Sequence, residues 1–319
     1  MATDDANIKY EEEFVRNSRG MKLLASRWLP LNGNPKALIF MCHGYAMECS
    51  ITMNSTGRKL ANAGYAVYGL DYEGHGKSDG RQGLLLDFNS VIDDCSQYFS
   101  SISEKKENEK KMRFLLGESM GGAVALLLHW KKPDYWDGAI LVAPMCKIAD
   151  EMKPNSVVVG VLSALSKVIP TWRLIPTQDI IDVAFKEPHV REQIRGNEYC
   201  YKGKPRLRTG YELLRVSTEI EQRLNEVSLP FLVLHGEEDQ VTDMAVSKQL
   251  YEVASSTDKT IRLYPGMWHG LLYGEPPENL KIVFSDIIAW LDQKSHYGNT
   301  RLERELKQQH EKNILKAWV

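Results

Sequence analysis

The sequence predicts an α/β fold: a mostly parallel central sheet with helices on both faces and an inserted helical cap. Three observations carry that prediction. Apolar, β-rich runs alternate with amphipathic stretches through most of the chain, the signature of strand–helix units. The runs are nearly continuous in Val, Ile, Leu and Phe rather than alternating with polar residues, as strands covered on both faces must be. One long stretch, residues 147–228, breaks the rhythm with helical apolar segments and no convincing strand.

Taken in order, strands are expected at residues 37–41, 66–70, 114–116, 139–142, 231–234 and 260–264. Helices are expected at 56–63, 91–102, 119–129, 245–254 and 280–291. The stretch 147–228 falls between two strands, so it is an insertion at the C-terminal edge of the sheet, where it would cover a site as a lid does. The predicted organisation is therefore a core of residues 1–146 and 229–295, a cap of 147–228, and a charged helical tail of 296–319 in which Leu302, Leu306, Ile314, Leu315 and Trp318 fall loosely on one face.

Composition narrows the function. With 43% apolar and 26% charged residues the chain reads as an ordinary globular protein. Its net charge of −2 speaks against nucleic acid, which demands a basic surface. Residues 1–14 are acidic and polar without an apolar core, so a cytoplasmic location is expected. Five scattered cysteines, Cys42, Cys49, Cys95, Cys146 and Cys200, read as thiols rather than a disulfide framework. The sequon Asn54-Ser55-Thr56 is then expected to go unused. The most apolar window, 156–165, is interrupted soon after by Lys167, Pro170 and Arg173, too early for a span of roughly 20 residues. The cap is the place where a peripheral membrane contact would be made.

Chemistry enters with Gly117-Glu118-Ser119-Met120-Gly121, between the run 114–116 and a helix. G-x-S-x-G in a strand–turn–helix context is a nucleophile elbow; flanking glycines let the chain turn without Cβ clashes. A serine hydroxyl needs a base, and on such a sheet the partners follow in the order Ser, Asp or Glu, His. The strand 231–234 runs into His235-Gly236-Glu237-Glu238-Asp239, and the strand 260–264 into Pro265-Gly266-Met267-Trp268-His269. Loops at one edge of a parallel sheet converge, so Ser119, Asp239 and His269 are the predicted triad. Glu237, Glu238 and Asp243 are competing acids expected to face solvent, and His235 a structural residue at a strand end. For the oxyanion, the expected donors are the backbone N–H groups of Met120 and of Tyr45, in the loop after the first predicted strand; the Tyr45 side chain can also serve as a pocket wall.

Other motifs read as structural. Cys42 and His43 have no second pair at metal-site spacing. The loop Glu73-Gly74-His75-Gly76-Lys77-Ser78 lacks phosphate-cradle spacing and reads as a tight loop near the site. Neither a cofactor nor a metal is implied.

Cys42-His43-Gly44-Tyr45, Gly74-His75-Gly76-Lys77-Ser78, Gly117-Glu118-Ser119-Met120-Gly121-Gly122, Asp239 and Gly266-Met267-Trp268-His269 together resemble the monoacylglycerol lipase family of serine hydrolases. In particular they resemble its plant branch, which includes lysophospholipase-like proteins and caffeoylshikimate esterase. Met152-Lys153-Pro154, Gly203-Lys204-Pro205-Arg206 and the run 254–260 are similar to that branch as well. The resemblance covers residues 8–292; the tail beyond Lys294 is longer than the family's. It implies an α/β-hydrolase fold, the triad Ser119, Asp239 and His269, and the oxyanion donors Tyr45 and Met120.

The leading expectation is a small-molecule ester substrate, a monoacylglycerol or lysophospholipid-type mono-ester, cleaved through an acyl-enzyme. A hydroxycinnamoyl ester is the alternative, with Trp172, Tyr199 and Tyr201 as candidate pocket aromatics; acyl transfer to another alcohol needs the same residues. A small-molecule receptor on the same fold is the rival from another class, disfavoured by a complete triad. The sequence leaves the oligomeric state open.

Overall fold

The computed structural model describes residues 7–147, 155–174 and 179–297. The tail 298–319 and the motif Met152-Lys153-Pro154 lie outside the described residues. In chain order the elements begin with strands β1 (Ile8–Arg16), β2 (Lys22–Pro30) and β3 (Leu38–Cys42), helix α1 (Asn54–Asn62), β4 (Ala66–Leu70), α2 (Phe88–Ser103), β5 (Arg113–Glu118), α3 (Met120–Lys131) and β6 (Gly138–Val142). Then come α4 (Ser156–Val168), α5 (Ile180–Ala184), α6 (Pro188–Gly196), α7 (Leu207–Gln222), β7 (Phe231–Gly236), α8 (Met244–Val253), β8 (Lys259–Tyr264) and α9 (Pro277–Tyr297).

The strands form one eight-stranded sheet in the order β1-β2-β4-β3-β5-β6-β7-β8. From β4 to β8 every pairing is parallel, and β1 and β2 add an antiparallel hairpin at one edge. This is the α/β-hydrolase architecture. Strands β3 to β7 are buried at every position, so their apolar runs carry no alternation. Each face nonetheless takes every second residue: Leu38, Phe40 and Cys42 pack with α2 and α3, Ile39 and Met41 with α1 and α9.

The hairpin escapes sequence reading. β1 carries Glu11, Glu12 and Glu13, and most of its side chains are exposed or half-buried. A charged edge strand discourages pairing with another chain, and that same polarity hides it from a search for apolar runs. β2 is anchored by Leu23, Leu24 and the fully buried Trp28, whose ring seats against Gly57 of α1 so closely that a Cβ there would stand 2.5 Å away.

Between β6 and β7 the described elements are α4 to α7 and one short 3-10 turn (Leu224–Glu226). α7 lies on the core: Val216 and Ile220 are fully buried. Its Thr209 hydroxyl accepts from the Leu85 N–H at 3.0 Å, and its Glu212 carboxylate from the Phe88 N–H at 3.0 Å. α5 and α6 dock through a separate small cluster of Ala184, Phe185, Val190 and Ile194 with Met47 and Cys200. None of the described helices is long and apolar enough to cross a membrane.

Candidate active site

Ser119 stands between β5 and α3 with φ 54° and ψ −120°, a backbone conformation costing a non-glycine residue about 1–3 kcal/mol. Three hydrogen bonds hold it there. The Ser119 N–H donates to Val142 O at 2.9 Å, and the Gly122 and Met145 N–H groups donate to Ser119 O at 2.9 Å each. The neighbouring glycines supply room, while the unusual φ belongs to the serine. A Cβ on Gly117 would meet Gly121 O at 2.2 Å, one on Gly121 would meet Cys42 O at 1.9 Å, and one on Gly122 the Pro144 Cβ at 2.5 Å. The described non-glycine residues with positive φ are Ala46, Ser119 and Ala143, all in loops at the C-terminal edge of the sheet.

Asp239 and His269 meet as the sequence predicts. His269 Nδ1 lies 2.7 Å from Asp239 Oδ2, and the Asp239 side chain is wholly buried. That carboxylate also accepts from the Val241 N–H at 2.7 Å, the Thr242 N–H at 3.0 Å and the Thr242 hydroxyl at 2.9 Å. Burial opposes its charge, but the two nearby histidines and these donors hold it well below the usual carboxylate range. Burial likewise opposes a charge on His269, yet Asp239 and then Glu118 outweigh it and raise its pKa above the ordinary 6.5. An ionised Asp239 at Nδ1 fixes the ring proton there, which leaves Nε2 able to accept one.

His235 does more than end a strand. Fully buried, its Nε2 lies 3.2 Å from Asp239 Oδ2 and 3.1 Å from Thr242 O, and its Nδ1 lies 2.8 Å from the Ser247 hydroxyl. Two acceptors at Nε2 require a proton on that atom, so His235 buttresses Asp239 as a hydrogen-bond donor. Glu237, Glu238 and Asp243 are exposed, and Asp243 caps α8 by accepting from the Ala245 N–H.

The loop after β3 closes on the elbow. A Cβ on Gly44 would stand 3.5 Å from Ser119 Cβ and 3.6 Å from Glu118 O. His43 locks this loop: its Nε2 accepts from the Tyr72 N–H at 3.1 Å, its Nδ1 lies 2.8 Å from Gly44 O, and its ring stacks on Tyr72 at 3.8 Å. Tyr45 is anchored by its hydroxyl, which donates to Gly83 O at 3.0 Å. Met120 opens α3, so its N–H is among the first-turn donors that a helix leaves without an internal partner. The loop 73–78 is structural: Gly74 and Gly76 both have positive φ, and a Cβ on Gly76 would meet Asp71 Oδ2 at 2.1 Å.

Ser119 and His269 line one cavity of about 290 Å³ together with Tyr45, Met47, Phe185, Tyr201 and Tyr273, close to the lower end of the range for small-molecule sites. Tyr201 is thus a cavity residue, as expected. Trp172 and Tyr199 do not line it: Trp172 is 55% exposed and Tyr199 faces Lys77. Sequence reading missed Glu118 and Tyr273, which also line the cavity. Glu118 sits inside the elbow pattern as its variable letter, and Tyr273 four residues beyond His269. No pattern singles either of them out.

Residues 33–277 match the family model described as serine aminopeptidase, S33, and the chain belongs to that family of serine hydrolases. Among its relatives, it is 36% identical over 298 residues to the caffeoylshikimate esterase of Arabidopsis thaliana, covering 91% of this chain and 90% of that one. It is 31% identical over 303 residues to the human monoglyceride lipase, with coverage of 92% and 95%. Among solved structures, a soluble variant of the Saccharomyces cerevisiae monoglyceride lipase in complex with a substrate analog superposes with a TM-score of 0.79 at 20% identity, covering 92% of this chain and 97% of that one. At that identity the superposition speaks for the fold.

Proposed function

We propose that this carboxylic-ester hydrolase cleaves monoacylglycerol or lysophospholipid-type mono-esters through an acyl-enzyme on Ser119. The carrying observation is the conjunction of a strained Ser119 and a carboxylate-bound His269 on one largely apolar cavity. His269 Nε2 takes the Ser119 proton as Oγ bonds the acyl carbon, then returns it to the leaving alcohol. Asp239 stabilises the imidazolium, and the N–H groups of Tyr45 and Met120 receive the oxyanion. Met47, Ile181, Phe185 and Val241 on the cavity wall suit an aliphatic chain. Residues 147–228 act as the cap.

A second reading, a hydroxycinnamoyl ester, is favoured by the rings of Tyr45, Phe185, Tyr201 and Tyr273 on the same wall. Side-by-side kinetics on a 2-acylglycerol, a lysophospholipid and a caffeoyl ester rank the readings. A fluorophosphonate probe that leaves Ser119 unlabelled in folded protein would falsify both. The rate should fall on acidification as His269 gains a proton, with the midpoint of kcat/KM above the ordinary histidine value of 6.5.

The proposal extends to location: a cytoplasmic enzyme that touches a membrane through its cap. Val157, Val161, Leu165 and Val168 recur on one face of α4 and are exposed, at 73% and 79% for the two end residues, with Trp172, Leu174 and Ile180 exposed close by in sequence. A contiguous apolar face of this kind marks an interaction surface.

A further inference from the structure

Glu118 is a carboxyl group that the triad does not use. It ends β5, immediately before Ser119, and is 2% exposed. Its Oε2 accepts from the Tyr273 hydroxyl at 2.7 Å, while its Oε1 is enclosed without a hydrogen-bond partner among the described residues. Tyr273 lies on the loop that carries His269, with the Gly274 N–H donating to Gly270 O at 2.7 Å, and its ring packs on Phe185 at 5.6 Å. One hydrogen bond therefore ties the residue before the nucleophile to the loop that carries the base. A clamp alone needs only an acceptor, which an amide provides. A buried carboxyl with one oxygen unused is the costlier choice, so its charge calls for a purpose.

We propose that Glu118 and Tyr273 are positioning residues for His269: their hydrogen bond holds the histidine loop against the elbow, and the Glu118 charge supports the imidazolium. The proposal rests on the assignment of Ser119 and His269 made above. When Nε2 takes the serine proton, the new cation is faced by Asp239 through a hydrogen bond and by Glu118 through space.

The groups acting on Glu118 come from two loops. Tyr273 and His269, on the loop after β8, favour its charged form; Asp239, on the loop after β7, disfavours it. Tyr273 in turn faces Glu48, on the loop after β3, and Cys200, after α6. Burial dominates and, against Tyr273 and His269, pushes the carboxyl up to about 7. Its charge therefore comes and goes in the pH range where the base works.

The test is kcat/KM against pH for the full chain on a water-soluble ester. Glu118→Gln keeps an acceptor for Tyr273 and removes the charge. Loss of a negative neighbour lowers the pKa of His269, so the acid limb should move to lower pH by roughly half a unit, with kcat down about threefold on the plateau. Tyr273→Phe deprives Glu118 of a donor and makes it easier to protonate, so the limb should move the same way while kcat falls and KM changes little. A limb that stays in place in folded Glu118→Gln, judged by its melting temperature, overturns the proposal. If that variant does not fold, Tyr273→Phe decides, and an unmoved limb there overturns it equally. Failure of the underlying assignment is seen separately, as a wild-type Ser119 that a fluorophosphonate does not label.

Discussion

Helices α3 and α4 are both rich in apolar residues, yet the molecule treats them in opposite ways. α3 buries every residue from Met120 to His129, whereas α4 leaves Val157, Val158, Val161 and Val168 in solvent. The difference lies in what surrounds each helix. α3 is enclosed by β3, β5, β6, α2 and α7, and its first turn presses against β3 closely enough that only glycine fits at 121. α4 packs chiefly on α7, and a Cβ on its own Gly160 would meet nothing within 4 Å. The enclosed region presents Ser119, and the loosely covered one leaves an apolar face open.

The largest effect is expected at the elbow itself. Ser119→Ala should lower ester turnover by about six orders of magnitude if the triad acts as a unit, measured as initial rate on a chromogenic ester. A residual rate near wild type would move the chemistry elsewhere. Asp239→Asn should lower kcat by about 10⁴-fold, by misorienting the tautomer of His269.

Glycine substitutions test the packing contrast directly. Gly121→Ala forces a Cβ to 1.9 Å from Cys42 O and should destabilise by about 3 kcal/mol or more, seen as a large fall in melting temperature. Gly160→Ala should instead stabilise by roughly 0.5–1 kcal/mol, because an exposed glycine inside a helix is replaced by a better helix former. Similar shifts in both variants would contradict the difference in packing. The smallest effect is expected from Val161→Asp on the exposed face of α4. Stability should change by under about 0.5 kcal/mol, while sedimentation with lipid vesicles should weaken. Unchanged vesicle binding would remove α4 from the proposed membrane contact.

Much of the site was legible because its parts follow from local chemistry. The turn glycines around Ser119, and Asp239 and His269 each just past a buried run, read directly from residue type and order. The partners that tune them were not. His235 reaches Asp239 because the chain turns back on itself just after β7, Tyr273 reaches Glu118 across 155 residues of sequence, and no spacing rule encodes either contact. The β1–β2 hairpin went unseen because its edge strand, β1, is written in charge, and Ser26 and Arg27 interrupt the apolar residues of β2.

By itself the sequence determined the sheet-and-helix alternation, the elbow and the chemical order Ser119, Asp239, His269, since each depends on neighbours along the chain. Only the tertiary structure decided which apolar helix is core and which is surface, and which aromatic residues line the cavity. It alone brought Tyr273 to the Glu118 carboxyl and buried that carboxyl. Burial is a property of what packs against a residue from elsewhere, so Ser156–Val168 and Met120–Lys131 can read alike in composition and end in opposite environments.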